Sequence, residues 1–77
     1  MKNDLRHIRE KHNLTQEQLQ QASGVDQSII SAIEISGRRP IVDTALRLAR
    51  GLSRLTGRQY RVEDLFPPEG DPMGRRR

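Results

Sequence analysis

The chain has 77 residues, 32% of them hydrophobic, with one Phe, one Tyr, no Trp and no Cys. It can bury only a single small core, and neither a disulfide framework nor a thiolate metal site is open to it. The start, MKNDLRHIREKH, is charged, which argues against a secretory signal, no run approaches transmembrane length, and the net charge of +4 points to a polyanionic partner.

Asn3 or Asp4 suits the N-cap of a first helix running to about His12, with Leu5 and Ile8 inward and Asn13 fitted to a left-handed stop before Leu14. Thr15 and Gln18 have the spacing of a capping box and start a second helix over 16–22. Leu19 and Ala22 repeat at a helical interval, and Ser23-Gly24 stops the helix with the residue that enters the left-handed region at no steric cost. Val25 plugs the corner. Asp26 caps a third helix over 27–35, whose inward positions are Ile30 and Ile33, while Gln27, Ser28, Ser31 and Ala32 point elsewhere. Two short helices joined by one tight glycine turn are the layout of a helix-turn-helix. Such pairs, crossing at roughly 90–120°, carry a polar helix face into the DNA major groove.

Ser36-Gly37-Arg38-Arg39-Pro40 reads as a polar loop, and Pro40 forbids simple continuation of the third helix. From Val42 to Thr56, apolar residues at 42, 45, 46, 48, 49, 52 and 55 form a broad face expected to cover the other three helices, and Gly57 ends the helix. GRQYR is an irregular connection, after which residues 62–66 make a last helical turn that lids the core with Leu65 and Phe66. Pro67-Pro68 stops it. The expected organisation is therefore one all-α domain over 1–66 and a disordered basic tail over 67–77, too polar to order itself. Arg75, Arg76 and Arg77 read as a solubilising end rather than a gripping arm.

The charge is unevenly spread. Residues 1–37 hold Lys2, Arg6, Arg9 and Lys11 against Asp4, Glu10, Glu17, Asp26 and Glu34, a balance of −1. Residues 38–61 hold seven Arg against Asp43, a balance of +6. The candidate reading helix carries no Lys or Arg, so phosphate attraction must come from its flanks and specificity from uncharged side chains.

Leu14-Thr15-Gln16-Glu17, Leu19, Gly24-Val25, Gln27, Ile30, Ile33-Glu34, Pro40 and Asp64-Leu65-Phe66 together resemble the lambda-repressor-like, Cro/CI-type (XRE) helix-turn-helix family. The likeness spans about residues 3–66. It implies a compact five-helix domain, with the helix-turn-helix at helices two and three, that binds operator DNA, usually as a homodimer, and regulates transcription as a repressor or an activator, a repressor being the expectation here. With a charged start and no membrane-length run, a cytoplasmic, nucleoid-associated protein with no membrane partner is expected, and no cofactor is expected either. By the same resemblance, Gln16 meets a phosphate, and Gln27 reads a base, since a Gln amide matches adenine N6 and N7. Ser28, Ser31 and Ala32 add contacts along the same face, and Arg38 and Arg39 clamp phosphates. The resemblance further implies a structural ion pair between Arg9 and Glu34.

Three positions depart from the family pattern. Gln20 stands where relatives favour Ala, Gly37 comes one place later than the usual loop glycine with Ser36 in its stead, and the link before the last helix is longer. Arg47, Arg50, Arg54, Arg58 and Arg61 form a basic stripe that reads as a solvated face. His7 and His12 lie five apart, not the four that places two imidazoles together, so they read as surface residues and no metal site is expected. No phosphate-cradling glycine loop or nucleophile signature argues for an enzyme. The competing readings are an antitoxin that also binds a toxin protein, and a protein-interaction module on the same fold.

Overall fold

Among the described residues the regular elements are all α-helices. The computed structural model describes residues 4–67, and within them the helices are α1 (Leu5–Lys11), α2 (Gln16–Ser23), α3 (Gln27–Ser36), α4 (Val42–Thr56) and α5 (Val62–Leu65). The expected caps of α2 and α3 are in place. Asn13 takes the left-handed conformation, φ 58°, and turns the chain out of α1. Residues 1–3 and the tail over 68–77, with its Arg75–Arg77 end, lie outside the described residues.

One apolar core joins all five helices. Leu5, Leu19, Ile30, Leu48, Leu52 and Leu65 are fully buried, with Phe66, Ile8, Val25, Ile33, Ala45 and Ala49 around them. Leu65 and Phe66 close it from below α1, where the Asp4 N–H donates to the Leu65 carbonyl at 2.7 Å. At about 25 cal/mol per Å² of apolar surface, a core this small stabilises only modestly, so each polar tie between helices matters.

The apolar face of α4 is narrower than the sequence pattern suggests. Only Ala45, Leu48, Ala49, Gly51 and Leu52 are buried, a stripe one heptad wide. Leu46 and Leu55 fall on its edges and stay about two-fifths exposed, and Val42, in the first turn, is 73% exposed, as exposed as Ile41 before it. The reason is the partner. α4 packs chiefly on α2, a single helix, and one helix covers one stripe.

The GRQYR connection is irregular but pinned. Ser53 Oγ donates to the Ala49 carbonyl at 2.8 Å and accepts the Tyr60 N–H at 2.8 Å. Tyr60 in turn shares a 2.7 Å hydrogen bond between its hydroxyl and His12 Nε2, with the two rings edge to face. His12 is thus half-buried and tied to the loop, contrary to its reading as a plain surface residue.

Candidate nucleic-acid interface

The interface is built outward from the α2–turn–α3 unit. Thr15 Oγ1 accepts the Gln18 N–H at 3.0 Å, and Gln18 Oε1 accepts the Thr15 N–H at 2.8 Å. This reciprocal box fixes the start of α2. Gly24 at φ 77° ends it, a conformation that costs a residue with a Cβ about 1–2 kcal/mol. Val25 then buries itself in the corner.

All four leading N–H groups of α3 are satisfied within the protein. Gln20 Oε1 accepts from the Gln27 N–H, Asp26 Oδ2 accepts from the Ser28 N–H at 3.0 Å, and the Asp26 carbonyl takes both the Ile29 and Ile30 N–H at 3.0 Å. The Ile30 bond is the first of the helix ladder, and the three donors before it, which have no partner within the ladder, are met by the cap residue and by Gln20. Here α3 has side chains, not backbone, to offer at its exposed end. Gln27, Ser28 and Ala32 are exposed and Ser31 is half-buried, so the four share one accessible face. Among the described residues no hydrogen bond engages the Gln27 side-chain amide.

Beneath this surface sits an ion pair. Arg9 Nε donates to Glu34 Oε2 at 2.8 Å and Arg9 Nη2 to Glu34 Oε1 at 3.0 Å, a two-pronged match. Arg9 Nη1 also donates to the Leu14 carbonyl at 2.7 Å. The Glu34 side chain is 3% exposed and that of Arg9 12%. The hydrogen bond to Glu34 raises the Arg9 pKa further above its already high value, so the guanidinium stays charged at any working pH.

Gln16 joins the same group. Its side-chain amide donates to Glu34 Oε1 at 3.0 Å, which turns it toward the protein. One amide hydrogen and the first N–H groups of α2 remain to meet a phosphate, a smaller contact than the whole side chain would make. At the far end of α3, Gly37 caps the helix at φ 74°, and Ser36 Oγ accepts the Arg38 N–H at 3.1 Å. Arg38 and Arg39 are exposed there, with Arg39 Nη1 donating to the Pro67 carbonyl at 3.3 Å. Ten helical residues rise about 15 Å, so the Arg pair stands roughly that far from Gln27.

The basic stripe of α4 borders a shallow surface groove with Ala22, Ser23 and Leu46, in which Arg47 pairs with Asp43 at 3.1 Å. A second groove is lined by His7, Lys11, Arg58, Tyr60 and Asp64. No group of three or more His, Cys, Asp or Glu is placed to hold a metal ion among the described residues, and no helix there is long and apolar enough to cross a membrane.

The family model described as helix-turn-helix matches residues 5–55, from the first residue of α1 almost to the end of α4. The chain belongs to the Cro/CI-type helix-turn-helix family. An uncharacterized HTH-type transcriptional regulator from Methanocaldococcus jannaschii is 41% identical over 71 residues, covering 92% of this chain and 98% of that one. No solved structure matches the chain. This is a family of transcription regulators rather than of enzymes.

Within the family pattern, the departures now have physical content. Gln20, where a small Ala is usual, sends its side chain across the turn to the Gln27 N–H. With Gln16 reaching Glu34, two glutamines one helical turn apart tie α2 to both ends of α3. The late glycine simply lengthens α3 by one residue, because Gly37 performs the left-handed cap and Ser36 stays helical. Gly51 was not legible as important. A Cβ there would lie 2.8 Å from Ser23 Cβ and 3.0 Å from the Ser23 backbone, so its absence sets the closeness of α2 and α4. Its signal was a glycine inside a strongly periodic helix.

Proposed function

We propose that this DNA-binding transcriptional regulator is a repressor that inserts α3 into the major groove of double-stranded operator DNA. Two copies bind together on a two-fold related site, in the cytoplasm. The observation that carries the reading is the exposed, uncharged face of Gln27, Ser28, Ser31 and Ala32 on a helix whose leading backbone donors are already spent. Such a face discriminates base edges rather than simply attracting phosphate. Gln27 reads adenine through N6 and N7, a match worth roughly 1–3 kcal/mol of discrimination. Ala32 supplies an apolar contact of the kind that suits a thymine methyl.

Grip comes from the flanks. Gln16 at the start of α2 and Arg38 with Arg39 beyond α3 are the phosphate contacts. Repression then needs only occupancy of the site.

Selection of bound duplexes from a random pool tests all of this together. The expected result is an inverted repeat whose adenine preference disappears in Gln27→Ala. A pool that stays unenriched, or an enriched motif without two-fold symmetry, rejects the reading or its paired form respectively.

A further inference from the structure

Ser28 is the second residue of α3, and its hydroxyl is already engaged. Oδ2 of Asp26, the exposed N-cap, accepts both the Ser28 N–H at 3.0 Å and the Ser28 hydroxyl. These two bonds, the hydroxyl's first, hold the Asp26 carboxyl below its usual value near 3.8, so it is ionised at neutral pH. An ionised carboxylate has no proton to give, and the serine hydrogen is therefore directed toward Asp26.

A serine hydroxyl owns one donor and two acceptor lone pairs. With the donor spent, Ser28 offers its surroundings lone pairs alone. The major groove distinguishes bases by this property. Adenine N6 and cytosine N4 carry donor amines, whereas guanine N7 and O6 and thymine O4 are acceptors. A rotating serine matches either set; a serine locked by a carboxylate matches only the amines. The negative charge of Asp26, two residues away, works in the same direction.

We infer that Asp26 sets the specificity of Ser28, making it a reader of exocyclic amines that selects adenine or cytosine and rejects guanine and thymine at the base it faces. Gln27, by contrast, keeps both donor and acceptor on its side-chain amide, so the two neighbours read by different rules. The inference rests on the placement of α3 in the major groove proposed above.

The test uses the full chain and duplexes selected from a random pool by the wild type, Ser28→Ala, Asp26→Gly and Gln27→Ala. All three substitutions are at exposed positions, and glycine is itself an accepted N-cap. The pair whose preference vanishes in Ser28→Ala is the one Ser28 faces. The wild type is expected to demand one orientation of that pair, and Asp26→Gly to admit the reversed pair to within about threefold. Replacing the selected base by its analogue without the amine, purine or 2-pyrimidinone, should weaken wild-type binding about tenfold and leave Ser28→Ala binding unmoved.

Wild-type binding that survives removal of the amine from that pair, a motif indifferent to Ser28→Ala, or an Asp26→Gly motif identical to the wild type overturns the inference. In each case the groove reading survives as long as Gln27→Ala still shifts the motif. If Gln27→Ala shifts nothing either, both fall together.

Discussion

Glu34 shows what one residue does in a core this small. It is almost wholly buried, and its two oxygens receive three donors, two from Arg9 and one from Gln16. The pair need not be more stable than an apolar replacement, but breaking one side leaves the other charge buried without compensation. Glu34→Gln is therefore expected to lose about 3 kcal/mol, and a domain of this length loses roughly 4–8 °C in Tm per kcal/mol. Thermal melting followed by circular dichroism should show a fall of more than about 10 °C. An unchanged midpoint would mean that solvent compensates Arg9 as well as the carboxylate does. At this scale the sequence was legible where a residue has one local job, as Asn13, Thr15 and Gly24 do. It was silent where a side chain has two possible partners. Gln16, expected at a phosphate, also gives one amide hydrogen to Glu34, and His12, expected on the surface, is tied to Tyr60 across 48 positions of chain. Nothing in the spacing of residues announces a contact of that range.

At the level of elements, α2, α3 and α4 were readable because capping, glycine stops and periodicity agree with one another. The bounds of α4 follow directly from Pro40 and Gly57. Its buried face is narrower than its apolar pattern, since periodicity marks which residues line one side but not how wide a partner they meet. Gly51 supplies the missing dimension. Alanine is ordinarily better than glycine inside a helix by about 1 kcal/mol. At Gly51 the new methyl would press on the backbone of Ser23, which cannot swing aside, so α2 and α4 must separate. Gly51→Ala is expected to destabilise by about 1–3 kcal/mol, the range of overpacked cores, despite its gain in propensity. Urea unfolding measures it, with a lower midpoint at unchanged m. A variant as stable as the wild type would show that α2 yields without cost. The same displacement would reach the reading face, because Gln16 and Gln20 anchor α3 to α2 at both ends.

For the whole molecule, the division of charge becomes a division of labour. Residues 1–37 balance to −1 and residues 38–61 to +6, so the segment holding the reading face repels phosphate slightly while the following one attracts it. Affinity for any duplex should then come from the cationic flank, and preference among duplexes from α3. Binding is expected to fall with salt at a log–log slope of about −0.9 for each phosphate neutralised. Arg38→Ala should weaken selected and random duplexes alike and reduce the slope by about 1. Arg50→Ala, on the groove between α2 and α4, should leave the slope within error if that stripe is only a solvated face. Titrations of both variants at several salt concentrations, against one selected and one scrambled duplex, separate the cases. A slope that falls with Arg50→Ala and not with Arg38→Ala would move the phosphate contact from the α3–α4 loop to the outer face of α4. The docking of α3 would then have to rotate about its axis, and Gln27 would no longer be the residue that meets the base.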